Sequence, residues 1–349
     1  MKTQRAGGIS SQSEYIIPHF WASALELPLQ LFRQQPWRTQ TPFISWGAKC
    51  IRAHKVWKHI PKRKIHIAII DTGLDYSHKD LARTTGAGYN VLHPDSPPHD
   101  DNGHGTHIAG TIAATNPESG MTGTAPQTII HPVKAFDQSG SARISDIVSG
   151  IEWCIKNRMD IINMSFGMQQ SSPLLRDAVR RAARAGIIIV ASAGNDGKRR
   201  ADYPARYPEA ISVGAATRQG KILNISNRGR YIDLYAPGEE VVSTWLNGRY
   251  HALSGTSMAA SYVSGACALL LAVKPGLTSK QVKRLLKRSQ TPVSPAKKQG
   301  KTGVGIINVH RAVMRLLNKN HMRSGADTPT RRRTLRRTVR TQKTKARRA

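Results

Sequence analysis

Cysteine is scarce in this sequence. Cys50, Cys154 and Cys267 are the three in 349 residues, and residues so widely separated form neither a disulfide framework nor a metal cluster. Uninterrupted apolar runs are short, and none approaches the ~18 residues of a membrane-spanning helix. The first thirty residues, broken by Ser10–Glu14 and His19, offer no continuous signal-peptide core. Zinc-finger spacing, a helix-turn-helix pattern, an aromatic-rich RNA-binding strand and internal repeats are absent too, which argues against a dedicated nucleic-acid module. The largest shortage is of acid: 21 acidic residues stand against 53 basic ones, a formal net charge of +32. Such a charge draws a protein to anionic surfaces and polymers without identifying them.

The excess is spread along the chain. Residues 322–349 hold eleven Lys or Arg against one acid, a net +10, and residues 1–45 contribute +2, which leaves +20 for residues 46–321. A hydrophobic content of 39% at this length supports a folded body with a full core. The expected division is an N-terminal extension or short pro-segment over 1–45, a body over 46–321, and a basic tail over 322–349 with too few apolar residues to fold alone.

Ile65–Ile70 is β-branched and apolar and ends at Asp71-Thr72-Gly73, the pattern of a buried strand that delivers an acid to a loop. His107–Ala114 has a helical pattern, which puts His104 at or just before a helix N-terminus, among unpaired backbone N–H groups. Strands are predicted over Ile129–Lys134, Asp160–Ser165, Ile187–Ala193, Ala210–Ala215 and Tyr231–Tyr235, the last ended by Pro237 and Gly238. Helices are predicted over Ile144–Asn157 and Leu174–Ala185, the second closed by Gly186. Thr256–Ala272 is the most apolar helix, Thr278–Lys287 opens on a capping pattern, and Val309–Leu317 follows a Pro/Lys/Gly-rich loop at 290–303. Alternating strands and helices predict an α/β fold, doubly wound, with a mainly parallel central sheet covered on both faces.

Three blocks carry reactive residue types: Asp71-Thr72-Gly73, Asn102-Gly103-His104-Gly105-Thr106-His107, and Ser254-Gly255-Thr256-Ser257-Met258-Ala259. A hydroxyl nucleophile needs a base, and the base needs a group that fixes its tautomer; serine, histidine and aspartate supply these parts. Each block alone has an ordinary reading, as a turn acid, a helix cap and a packed helix serine.

Together they resemble the three active-site blocks of the subtilisin-like serine peptidases, over roughly residues 46–318. The resemblance implies a serine endopeptidase that works through an acyl-enzyme intermediate, with Ser257 as nucleophile, His104 as base and then acid, Asp71 as the orienting carboxylate, and His107 structural. Ala191-Ser192-Ala193-Gly194-Asn195 resembles the oxyanion segment, with Asn195 donating beside the Ser257 N–H. Ser165, Phe166 and Gly167 match one side of the substrate cleft, and Ser139, Gly140, Ser141 and Ala142 match the other, which pairs with substrate backbone. Phe136 and Phe166 suggest large apolar residues before the cut.

Two departures stand out. Ala260, Ser261 and Tyr262 replace a small residue, Pro and His, and the missing proline predicts a more regular nucleophile helix. The chemistry needs no cofactor, yet the resemblance implies structural calcium near Asp80, where Pro117 stands in place of a residue that often supplies a side-chain oxygen. Tyr15-Ile16-Ile17-Pro18 resembles a short inhibitory motif of intracellular relatives. Expected partners are protein or peptide substrates and, for the basic tail, an anionic polymer or surface; a monomer is expected. The family implies an extracellular protein, whereas the lack of an evident signal peptide leaves a cytoplasmic one as the alternative. The alternative function is noncatalytic polyanion binding on a protease-derived scaffold.

Overall fold

The protein is described by a computed structural model over residues 15–16, 42–292 and 305–324. The tail beyond Ser324, Ile17-Pro18 and most of the N-terminal extension lie outside the described residues.

In chain order the first elements are β1 (Tyr15–Ile16), β2 (Phe43–Ile44), α1 (Trp46–Cys50), β3 (His66–Asp71), β4 (Tyr89–Asn90), α2 (His104–Ala113), β5 (Met121–Thr122), β6 (Ile129–Lys134) and β7 (Ala142–Arg143). The middle of the chain forms α3 (Ile144–Lys156), β8 (Ile161–Met164), α4 (Pro173–Arg184), β9 (Ile188–Ser192), β10 (Ala210–Ala216), β11 (Leu234–Pro237), β12 (Val241–Trp245) and β13 (Arg249–Leu253). The last elements are α5 (Thr256–Val273), α6 (Ser279–Arg288), β14 (Thr291–Pro292), β15 (Gly305–Ile306) and α7 (Val309–Ser324).

Nine strands form one sheet in the order β14-β15-β11-β10-β9-β8-β3-β6-β4, parallel throughout except for β14 against β15. The expected doubly wound α/β architecture is therefore present. The chain enters in mid-sheet at β3, lays β4 and β6 on one side and β8 to β11 on the other, so the strand order reverses beside β3. In open α/β sheets the crevice at such a switch point, outside the carboxyl ends of the strands, is where ligands bind. Asp71 is the last residue of β3 and sits there.

Burial follows from residue type. β8, β9 and β10 are buried along their whole length, which requires helices on both faces: α5 packs along β8 to β11 and against α2, while α4 contacts β9 and packs on α3. α4 turns Leu175, Ala178, Val179 and Ala182 inward, the i, i+3, i+4, i+7 stripe of a helix that lies on a sheet. α5 is different. Seventeen of its 18 residues are buried, and each Leu among them contributes roughly 1.5–3 kcal/mol. Its mean hydropathy of 1.6 over 18 residues would suit a membrane span, but 94% of it is buried inside the body, so it is a core helix. Thr, Ser and Gly punctuate its sequence, so it holds no unbroken apolar run.

Other expectations shift. The strand predicted at Tyr231–Tyr235 runs from Leu234 to Pro237; Pro237 ends the ladder, where its missing N–H costs no bond. β12 and β13 form an antiparallel hairpin across Asn247 (φ 61°) and Gly248 (φ 68°). Thr291–Pro292 pairs within what reads as loop, and α7 extends to Ser324. The packed body also includes Phe43 and Ile44, which pair with Met121 and Thr122.

α5 runs without a break through Ala260, Ser261 and Tyr262. The Ser261 hydroxyl donates to Met258 O at 2.6 Å, the back-bond open to a serine but not to a proline. Tyr262 is fully buried; its hydroxyl lies 2.9 Å from Ser45 Oγ, and Ser45 also caps α1 by accepting from Ala48 N. The tyrosine thus ties the first helix of the body to the helix that carries Ser257.

Candidate active site

Two strand ends and two helix starts meet at the switch point. Asp71 arrives on β3, His104 is the first residue of α2, Ser257 is the second residue of α5, and Asn195 follows β9 by three residues. Asp71, His104 and Ser257 are between 1 and 3% exposed. Asp71 Oδ1 accepts from His104 Nδ1 at 2.7 Å and from Thr72 N at 2.9 Å. A carboxylate that accepts at Nδ1 puts that ring proton on Nδ1 and leaves Nε2 as the basic nitrogen.

The loop that delivers His104 is organised by Asp100, which the sequence reading missed. Its Oδ1 accepts from Thr72 Oγ1 (2.8 Å), Asn102 N (3.0 Å) and Gly103 N (2.8 Å). Its Oδ2 accepts from Thr106 N (2.9 Å) and Thr106 Oγ1 (2.6 Å). Thr72 Oγ1 in turn accepts from Gly105 N at 2.9 Å, so one carboxylate couples the end of β3 to the first turn of α2. An Asp just ahead of a helix start is a capping signal that could have been read. Lys134, opposite Asp71 in the sheet register, adds a buried ammonium that donates to Thr72 O and to Asp101 Oδ1, both at 2.7 Å.

Ser257 Oγ donates to Ser165 O at 2.8 Å, and Ser165 Oγ donates back to Ser257 O at 3.2 Å. Asn163 Nδ2 holds Ser165 Oγ at 2.8 Å, while Ser264 Oγ, two turns along α5, holds Asn163 Oδ1 at 2.8 Å. This chain of polar groups pins the first turns of α5 to the end of β8. Asn195 Oδ1 accepts from Thr256 N and from Thr256 Oγ1, both at 3.0 Å. The carbonyl end of the amide is thereby assigned, and the NH2 end is its donor face, next to the N-terminal N–H groups of α5. Gly255 permits this approach: a Cβ there would lie 2.9 Å from Asn195 Nδ2.

His107 is not a second base. Its Nε2 donates to Val241 O at 2.9 Å and His251 O at 3.2 Å. Burial first, and then the neighbouring His104, push its pKa down from 6.5 to about 3.

Among the expected cleft residues, Asp137 shapes the Ser139–Ala142 side. Its Oδ1 accepts from Ser139 Oγ (2.6 Å) and Ser141 N (2.8 Å), and Gly140 takes a φ of 75°. Ala142 then enters β7, which pairs with β1: Ile16 opposite Ala142 and Tyr15 opposite Arg143. Ser165 and Gly167 follow the end of β8. Phe166 needs correction, because its side chain is 1% exposed and packs 5.0 Å, centroid to centroid, from the equally buried Phe136. Both rings belong to the core and present no open wall to a substrate.

Asp80 lies apart from this cluster, in the 115–121 loop region. Among the described residues no group of three or more His, Cys, Asp or Glu could hold a metal ion.

Comparison with known proteins agrees with this geometry. A family model described as the Subtilase family matches residues 62–305. Subtilisin of Bacillus pumilus is 41% identical over 252 residues, which cover 71% of this chain and 90% of that protein. Subtilisin E of Bacillus subtilis is 41% identical over 252 residues, covering 71% of this chain and 65% of its own length. The thermostable alkaline protease of Halalkalibacterium halodurans is 38% identical over 270 residues, 77% of this chain and 73% of that protein.

Proposed function

The chain belongs to the subtilase family and is a serine endopeptidase, and from that premise we propose that Ser257, His104, Asp71 and Asn195 carry out its reaction. The observation that carries the assignment is the 2.7 Å bond from His104 Nδ1 to Asp71, with Ser257 at the start of a buried helix that packs against the helix opened by His104.

In the reaction the Ser257 hydroxyl turns from Ser165 O toward His104 Nε2, gives up its proton and attacks the scissile carbonyl. The imidazolium so formed is stabilised by Asp71, which stays ionised. The carbonyl oxygen becomes an anion, and Asn195 Nδ2 and Ser257 N–H donate to it. His104 then protonates the leaving amine, and water repeats the sequence to release the acyl group. No metal takes part in these steps. Specificity is broad and rests on backbone pairing with the 139–142 segment. The preference for large apolar residues before the cut is weakened, because Phe136 and Phe166 are buried. All four groups come from one chain, in keeping with a monomer. A fluorophosphonate probe should label the matured protein once, on Ser257; mass mapping of the adduct to another residue, or no labelling, would refute the assignment and favour a noncatalytic scaffold.

The extension ahead of β2 fits a pro-segment, whereas Phe43, Ile44 and Ser45 pack with the body. β1 adds a strand to the segment expected to pair with substrate, while His104 and Ser257 are each 1% exposed. Ile16→Pro removes the donor of one of these residues, worth about 0.5–1.5 kcal/mol, so the uncleaved protein should hydrolyse a small peptide roughly three- to tenfold faster. An unchanged initial rate would count against the pro-segment.

An anionic polymer as partner fits both the tail and the body. No acidic residue occurs in 27–70 or in 241–326, and the two stretches meet where Val309 N donates to Ile51 O at 2.8 Å. Exposed Arg52, Lys55, Lys58, Arg311 and Arg315 flank that junction. Export remains the family's expectation.

A further inference from the structure

The calcium that the family resemblance places beside Asp80 meets a donor set of the wrong sign. Asp80 is 1% exposed. Its Oδ1 accepts from Asn116 Nδ2 at 2.9 Å, and its Oδ2 accepts from Met121 N at 2.7 Å and Tyr250 Oη at 2.6 Å. Its backbone carbonyl accepts from Thr115 N at 2.8 Å. Each partner turns a hydrogen, the positive end of its dipole, toward Asp80.

The Asn116 carboxamide is committed at both ends. While its NH2 donates to Asp80, its Oδ1 accepts from Glu118 N and Ser119 N, each at 3.2 Å. The side chain spans the inside of the 115–121 loop and leaves little room there. A Cβ on Gly120 would fall 2.1 Å from Asp80 Oδ1 and 2.6 Å from Asn116 Nδ2. Calcium takes about six to eight oxygens, and its affinity rises with the number of charged ligands. Here one buried carboxylate, already accepting three hydrogen bonds, would have to serve, and Pro117 brings no side-chain oxygen. Glu118, the acid within the loop, is exposed.

We infer that Asn116 and Tyr250 stand in for the cation: hydrogen bonds close the loop on Asp80, and the fold holds without calcium at this place. The arrangement reaches beyond the loop. Tyr250 lies on β13, with its ring 5.6 Å from that of Phe43 on β2 and 5.4 Å from that of His78. One carboxylate therefore joins the 115–121 loop, the β12–β13 hairpin and the strand that begins the body.

The test uses Ser257→Ala protein, so that self-digestion plays no part and the result is independent of the peptidase reading. At a fixed scan rate, a chelator and millimolar calcium should each move Tm by less than about 2 °C, and equilibrium dialysis should find no calcium that depends on Asp80. Tyr250→Phe keeps the ring contacts and loses one bond to a carboxylate, so its Tm should fall by about 2–6 °C, equally with and without calcium. One equivalent of calcium held by the parent and lost in Asn116→Ala or Asp80→Asn, with Tm falling on chelation, would overturn the inference. The parent's metal content decides even where a variant does not fold.

Discussion

Asp71→Asn should lower kcat/KM by about 10⁴-fold, the size known for this exchange in a serine-peptidase triad, with little change in Tm. The amide is isosteric, so the end of β3 keeps its shape, and the loss arises in the chemistry. If the new side chain keeps its oxygen toward His104 Nδ1 and Thr72 N, where Asp71 Oδ1 accepts both bonds, the tautomer survives but the negative charge facing the imidazolium is gone. If it presents its NH2 instead, Nδ1 must accept, the ring proton moves to Nε2, and the base no longer has a lone pair for Ser257. Either orientation is costly. Steady-state kinetics on a small peptide, with circular dichroism and a melting curve as controls, decide the matter. A loss below tenfold in a well-folded variant would mean that Asp71 does not serve His104.

Substitution of Asn195 should reduce kcat by about 10²–10³-fold and leave KM nearly unchanged, the range already measured for such a donor in subtilisin itself, a relative of this chain. The donor acts on charge that exists only in the transition state, so substrate binding does not register its loss. Asn195 has a second duty, because its Oδ1 receives Thr256 N and Oγ1. Asn195→Leu removes both roles, whereas Asn195→Asp keeps the acceptor for Thr256, removes the donor and sets a negative charge beside the developing oxyanion. Both variants should lose kcat. Loss in the leucine variant alone would show that the residue merely supports the start of α5.

The triad was legible because each member sits on a local signal. An apolar run ends at Asp71, a helix begins at His104, and Gly255 precedes the helix of Ser257, so strand ends and helix starts singled out the candidate side chains, two of which the fold brings into contact. The groups that hold them were less legible. Asp100 meets Thr72 across 28 positions, and Tyr262 meets Ser45 across 217; no periodicity links residues so distant, and only packing brings them together. The β12–β13 hairpin was readable, since Asn-Gly between two alternating runs is a strong turn signal. Phe136 and Phe166 misled for another reason. A motif fixes the backbone beside a cleft, but the pleat decides which way each ring points, and here both point inward. Asp80 matches the family's pattern by position alone, so its role could be judged only once Asn116 and Tyr250 were seen against it.

α5 brings Ser257, the proposed nucleophile, and it arrives late. Translation at about 5–20 residues per second places roughly 10–40 s between the addition of Asp71 and of Ser257. Once His104 has been added, the growing chain holds the proposed acid and base but still lacks the proposed nucleophile. The helix that carries Ser257 must then seat itself along strands made before it, and two strands and two helices that follow it must still be added. On the proposed roles a half-made molecule lacks the group that would cut itself or its neighbours, a safeguard built into the order in which the ribosome delivers the parts.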